Sequence, residues 1–373
     1  MIFISILAVL YALLLFWILI GLFRLRSSSN SDYLPFVSVI IAARNEKENI
    51  ERCISALEAQ DYSNKLFEVI IINDRSIDNT AQIITDKTDS LSNFHLITVK
   101  DLPTNTSPKK YALQKGIKAS KGEIILTTDA DCVPKPGWIS GMVNAYSNEK
   151  IGMVVGYSPI TLESSGIKAG LSKLDSLSIA AISAGSIGAG YPVTCSGRNF
   201  SYRRKVFDSI GGFEGLWQYM SGDDDLLLHR AFNNKIKVSY SLRPSTFVDS
   251  VSYDSLNEIS NQRRRHASKG FIYYSLPGMT GLKIVLPLIY IFNLSIVLGL
   301  LGIGLNLTTL SSIFLLKSAV EFSLLFVFAS KVNSKNILKY FPLAIILHPF
   351  YVVVFGAWGI LGNFTWKGQT NYR

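Results

Sequence analysis

The chain has 373 residues, 48% of them hydrophobic, and a mean hydropathy of +0.27. That balance excludes a purely water-soluble globule, because apolar content beyond what one core can hold must face lipid. The formal net charge of +10 is spread along the chain and includes juxtamembrane positions, which favours a basic protein beside anionic membrane lipids over one that binds nucleic acid.

Residues 1–23, MIFISILAVLYALLLFWILIGLF, carry no charge and at 1.5 Å per residue are long enough to cross a hydrocarbon core of about 30 Å. The run is longer than the apolar core of a signal peptide, and Arg24 and Arg26 follow it rather than precede it, so an uncleaved anchor is expected. Three further spans are predicted at 284–305, 308–330 and 340–362. The Lys/Arg bias puts Arg24 and Arg26 inside, leaves the uncharged 306–311 loop outside and returns Lys331, Lys335 and Lys339 inside, with only Lys367 and Arg373 on the wrong side. The intervening domain, 30–270, is thereby expected on the cytoplasmic face of an inner or plasma membrane. Cys53, Cys132 and Cys195 have no metal-ligand spacing, as suits a reducing compartment without a disulfide framework.

From Phe36 the chain alternates β-branched runs with helical patterns, the signature of an α/β fold with a mostly parallel central sheet. Strands are predicted at 37–42, 67–73, 94–99 and 123–128, and helices near 47–60, 78–88 and 109–119. Ligands in such sheets sit beyond the carboxyl ends of the strands. Those ends are unusually polar here: Arg44-Asn45-Glu46, Asn73-Asp74-Arg75 and Asp129-Ala130-Asp131. After Pro136 the alternation breaks down, and 165–190 is a small-residue stretch that reads as a helix, either along the bilayer, under an acceptor site or simply buried. No internal repeat is present, which excludes a solenoid.

The run ILTTDADCVPKPGWI ends an apolar strand in Asp129 and Asp131. Alternate positions of an extended stretch point the same way, so both carboxylates can face one hard cation and the phosphates it carries. Three consecutive acids, Asp223, Asp224 and Asp225, can supply a general base, or charge that complements a helix N-terminus. Gln262, Arg263, Arg264, Arg265 and His266 form a basic cluster before the later spans, either a phosphate and acceptor platform or a headgroup-contacting patch. Lys317 and Glu321 lie four apart in one span and share a helix face, as a self-neutralising pair or a functional site. His95, His229 and His348 show no ligand spacing.

The segment VSVIIAARNEKENIERCISALEAQDYSNKLFEVIIINDRSIDNT resembles the opening of the family 2 glycosyltransferases, and Asp129-Ala130-Asp131 matches their metal-binding Asp-x-Asp. SGRNFSYRRKVFDSIGGFEG is similar to their acceptor-side Gly-x-Asn-Phe segment, SGDDDLLLHRA to their acidic base motif, and QRRRHASKG to the Gln-x-x-Arg-Trp of membrane-bound, cellulose or hyaluronan synthase-like members. The match runs in the family's order over residues 36–270. It implies a GT-A fold and an inverting hexosyl- or N-acetylhexosaminyl-transferase, with a nucleotide-sugar donor, Mg²⁺ or Mn²⁺ as cofactor and a lipid-linked or glycan acceptor. Carried onto this chain, Glu46, Asp74 and Asp129 hold the donor, Asp131 with Asp129 holds the metal, and Asp224, with Asp223 next, is the base. Gln262, Arg265 and His266 form the acceptor or phosphate platform. The chain departs from the family's pattern at two places: His266 stands where Trp is expected, and the acidic run reads Asp-Asp-Asp where Glu-Asp is usual. A processive polysaccharide synthase, alone or with partner subunits, is the alternative within the class, and a non-catalytic subunit of a glycan export assembly the alternative outside it.

Overall fold

A computed structural model describes residues 2–25, 31–162, 165–251, 263, 272–276, 280–361, 364–366 and 369–371. The chain divides into two units: Arg26–Glu163 with Thr194–Ser252, and Met1–Leu25 with Ser164–Val193 and Tyr253–Arg373.

The first unit is built on a seven-stranded sheet. Its strands are β1 (Val37–Ala43), β2 (Phe67–Asp74), β3 (Phe94–Val99), β4 (Ile124–Thr127), then, after the short β5 (Cys132–Pro134), β6 (Ile151–Gly156), and, after β7 (Ile160–Leu162), β8 (Phe200–Arg203) and β9 (Lys237–Ser241). The order is β3-β2-β1-β4-β8-β6-β9. β1 pairs in parallel with β2 and β4, and β2 with β3, while β8 runs antiparallel between β4 and β6. β1 and β2 are largely apolar and buried on both faces, as a sheet covered by helices on each side demands, and the polar Ser38 and Glu68 within them are hydrogen-bonded to each other at 2.6 Å. The helix Ile50–Glu58 covers one face with Ile50, Cys53, Ile54 and Leu57, an i, i+3, i+4, i+7 stripe. The helix Pro108–Ala119 starts on a proline whose fixed φ suits a first turn, and it lies so close to the sheet that a Cβ on Gly116 would sit 2.6 Å from Ile72 Cδ1. β5, β10 (Val248–Val251) and β7 form a second, three-stranded sheet.

The mostly parallel sheet predicted from sequence is therefore present. β6, β8 and β9 were not legible: β6 carries glycines at both ends of its apolar run and β8 is only four residues long, so neither offers the period-2 signal of a longer strand.

Among its described residues the second unit holds four helices long and apolar enough to cross a membrane: Ile2–Arg24, Gly281–Leu300, Leu307–Lys331 and Lys335–Trp358. A fifth long helix, Gly166–Gly188, is the small-residue stretch of the sequence. It crosses the N-terminal helix at contact distance, since a Cβ on Gly21 would meet the Gly185 carbonyl oxygen at 1.8 Å and one on Gly188 would meet the Gly21 oxygen at 2.1 Å.

Candidate active site

The carboxyl ends of β1, β2 and β4 place the polar residues singled out above. β1 and β2 both leave the sheet through a non-glycine residue in the left-handed region, Asn45 and Arg75, each at φ 52°. The two exits interlock: the Asn45 amide donates to Ser76 Oγ at 3.1 Å, the Ile77 amide donates to Asn45 Oδ1 at 3.0 Å, and the Glu46 amide donates to Thr80 Oγ1 at 2.8 Å. Asp78 in turn accepts from the Thr80 amide at 3.1 Å, just ahead of the helix Thr80–Thr88, whose N-cap residue is Asn79. Glu46 is half-buried, its Oε2 accepting from Asn49 Nδ2 at 3.0 Å. Asp74 is buried between two guanidinium groups, with Arg75 Nε 2.8 Å from Oδ1 and Arg44 Nη1 3.9 Å from Oδ2.

At the end of β4, Asp129 and Asp131 are both half-buried. Asp129 Oδ1 accepts from Lys109 Nζ at 2.8 Å, and the same ammonium lies 3.0 Å from Asp223 Oδ2. One half-buried cation thus joins the Asp-x-Asp to the acidic run of 223–225. Burial opposes the charge of Lys109, but Asp129, Asp223 and Asp224 outweigh it and raise its pKa. Burial likewise opposes ionisation of Asp129, yet Lys109 and then Arg198 hold its carboxyl below the usual range. The Cys132 thiol lies 3.4 Å from Asp131 Oδ1, and burial together with Asp131 and Asp129 pushes its pKa up, which keeps it a neutral donor.

The chain arranges this meeting locally. The N-terminal turn of the helix Pro108–Ala119 is tied to the segment ahead of the acidic run: the Ser107 amide donates to the Trp217 oxygen at 2.8 Å, and the fully buried Lys110 donates to the Tyr219 and Ser221 oxygens at 2.5 and 2.8 Å. The three acids then diverge. Asp223 faces Lys109. Asp224 caps the helix Asp225–Asn233, with Oδ1 accepting from the Asp225 amide at 2.8 Å and Oδ2 from the Gly197 amide at 2.9 Å. Asp225 is buried and accepts from Thr194 Oγ1 and the Cys195 amide, both at 2.9 Å.

The Gly197-Arg198-Asn199-Phe200 segment folds against the same acids. A Cβ on Gly197 would stand 3.2 Å from Asp223 Oδ2, so a side chain there would crowd the carboxylate. Asn199 is wholly structural: its amide donates to the Tyr157 and Thr246 oxygens and its Oδ1 accepts from Trp138 Nε1 at 2.9 Å. Arg198 donates to Ser250 Oγ at 2.7 Å and stays near enough to Asp129 to lower its pKa.

Sequence reasoning missed Lys109 and Arg198. The signal for Lys109 was a cation in the first turn of a helix, the end whose dipole disfavours positive charge, which asks for a specific anionic partner. Of the basic cluster, Gln262, Arg265 and His266 lie outside the described residues. Arg263 is ion-paired to Asp175 of the helix Gly166–Gly188, and its guanidinium stacks 5.8 Å from the Tyr351 ring centroid.

A hard divalent cation is compatible with this donor set. Among the described residues no three His, Cys, Asp or Glu side chains converge on one point, so the protein itself offers the Asp-x-Asp carboxylates at most. That is the supply a Mg²⁺-type ion takes when substrate phosphates and water complete its shell.

Comparison with known proteins finds similar chains and a similar fold. Residues 38–211 match the model of Glycosyl transferase family 2. Glycosyltransferase AglE of Haloferax volcanii is 31% identical over 136 residues, 36% of this chain and 43% of its own. The Beta-monoglucosyldiacylglycerol synthase of Nostoc sp. is 28% identical over 248 residues, 65% of this chain and 50% of its own. The chain thus spans half or less of the length of these curated relatives. A mannosyltransferase from Pyrobaculum calidifontis, solved in complex with GDP-Man and Mn²⁺, has the same fold at 17% identity, with a TM-score of 0.63 covering 96% of this chain and 97% of its own. Residues 38–211 thus resemble a glycosyl transferase family 2 domain, and the fold is the one that the mannosyltransferase structure shows.

Proposed function

We propose that the chain is an inverting, metal-dependent glycosyltransferase that moves a sugar from a nucleotide-sugar donor to a lipid-linked or glycan acceptor at the inner face of the membrane. The observation that carries this reading is the meeting of Asp129, at the exit of β4, with the acidic run through Lys109. Glu46 and Asp74 hold the nucleoside end of the donor. Asp129 and Asp131 hold the cation, which when bound neutralises the charge developing on the departing diphosphate. Lys109 keeps Asp129 ionised for that task and offsets the repulsion of the neighbouring carboxylates.

Asp224 takes the acceptor hydroxyl proton. The backbone amides of Asp225 and Gly197 fix the orientation of its carboxylate. Asp223 positions Lys109. A single displacement with one base inverts the anomeric centre and needs no covalent nucleophile. The four apolar helices and the Lys/Arg distribution support a multi-pass protein whose catalytic domain faces the cytoplasm, where nucleotide sugars are made.

The test is to incubate purified membranes with a panel of nucleotide sugars, with and without chelator, and to measure released nucleoside diphosphate. Metal-dependent release from one donor is the expected result. No release from any donor, or release unaffected by excess chelator, overturns the reading.

A further inference from the structure

The apolar face that the N-terminal helix buries is a single stripe, Leu7, Tyr11, Leu15, Ile18 and Leu22. In a bilayer such a stripe gives little reason to dock, because lipid tails satisfy leucine as well as a neighbouring helix does. Close backbone approach and hydrogen bonds do give a reason, and this helix makes both.

Near its C-terminal end, Gly21 meets Gly185 and Gly188 with no room for a side chain on any of the three, and Trp17 packs edge-on to Tyr191 with ring centroids 6.5 Å apart. Near its middle, the Tyr11 hydroxyl donates to Glu321 Oε1, and its ring stacks on Phe292 with centroids 4.6 Å apart. That same Glu321 oxygen accepts from Lys317 Nζ at 2.6 Å and lies 3.7 Å from His348 Nδ1, while Lys317 Nζ is 2.9 Å from His348 Nδ1. Lys317 is fully buried. The Lys317–Glu321 pair lies within one helix and neutralises itself without help. The contributions of Tyr11 and His348 require that the helices Ile2–Arg24 and Phe341–Leu361 be docked in one register against Leu307–Lys331.

We infer that residues 2–24 are a keyed wall of the membrane unit rather than an interchangeable anchor, with Tyr11 on Glu321 and Gly21 on Gly185 and Gly188 as the two keys. The best-attested use of a buried polar group is to fix register among otherwise equivalent apolar packings, and the cluster on Glu321 does this for three helices. Glycine sets the depth of approach and the hydroxyl sets the axial position.

The test uses the full chain in phosphatidylcholine–phosphatidylglycerol vesicles. In one variant residues 2–23, apart from the reporter position 17, become leucine, which spans the bilayer equally well. In a second, Tyr11, Ile18 and Gly21 are restored in that leucine background. Cysteines at positions 17 and 191 report docking by cross-linking. All forms are expected to sediment with the vesicles. The leucine variant should cross-link at least fivefold less than the parent, and the restored variant should recover. Parent-level cross-linking in the leucine helix, or no recovery in the restored one, overturns the inference. A double-mutant cycle on Tyr11→Phe and Glu321→Gln, read as the unfolding equilibrium constant, should be non-additive by about threefold. Additive behaviour would remove the Tyr11 key.

Discussion

Lys109 Nζ lies 2.8 Å from Asp129 Oδ1 in a half-buried setting, and the pair links two stretches of chain that sequence alone leaves unconnected. Replacing Lys109 by Met leaves Asp129 and Asp223 facing each other without a counter-ion. We expect turnover to fall about 10²-fold and stability to fall by about 1–3 kcal/mol, whereas Lys109→Arg retains charge and much of the activity. Nucleoside diphosphate release and thermal melting on the two variants check this. Equal loss in both would mean that shape rather than charge matters at 109.

The same pair sets a pH dependence. The Asp129 pKa in the fold is below its ordinary 3.8, so its contribution is present above that value and is lost as pH falls through the lower folded value. Lys109 is raised above 10.5, so its contribution is complete below that value and is lost only as pH rises through the higher folded one. Melting temperatures followed from about pH 6 to about pH 2 should therefore show an acid limb that flattens in Lys109→Met. An unchanged limb would place the acid-labile group elsewhere.

For the metal, Asp131→Asn should abolish turnover with an unchanged fold, because a neutral amide coordinates Mg²⁺ or Mn²⁺ far more weakly than a carboxylate. Asp129→Asn should be less clean, since it also removes one of the two carboxylates that Lys109 bridges. Circular dichroism and metal titration of activity separate the two. Persistence of Asp131→Asn activity at ordinary metal concentrations would remove Asp131 from the donor set.

How far this site was legible depends on the kind of signal each residue gives. Glu46, Asp74, Asp129 and Asp131 follow apolar β-branched runs, and a strand that ends in a carboxylate announces where its side chain is delivered. Asn199 sits within a matched motif, but its role, to hold Trp138, Tyr157 and Thr246 together, depends on partners distant in sequence. Arg198 is a single cation in a chain with 37 Lys and Arg, so nothing local separates it from solvated charge, and Lys109 is marked only by its place in a first helical turn. The Gly21 crossing is likewise invisible, because it needs the register of two helices about 160 residues apart.

The proposed topology is checked by adding protease to intact cells. The region between the first span and residue 280 should be spared and should become sensitive only on permeabilisation. Its digestion from outside would overturn both the orientation and the supply of nucleotide sugar.

The last prediction concerns the division of labour among Asp223, Asp224 and Asp225. A general base acts on the proton only as the acceptor attacks, so Asp224→Asn should lower kcat by about 10²- to 10⁴-fold with little change in nucleotide affinity. Because asparagine is as good an N-cap as aspartate, the helix Asp225–Asn233 should form in this variant, with a stability cost no greater than about 1 kcal/mol from the Gly197 contact. Asp223→Asn releases one side of Lys109 and should weaken both metal and donor affinity along with turnover. Asp225→Ala leaves the Thr194 hydroxyl and Cys195 amide without their acceptor in a buried site, so it should act mainly on stability, by about 1–3 kcal/mol. Nucleotide titration, turnover and melting on the same three proteins distinguish these outcomes. A pure kcat defect in Asp223→Asn with near-normal turnover in Asp224→Asn would move the base one residue upstream and leave Asp224 as the cap alone.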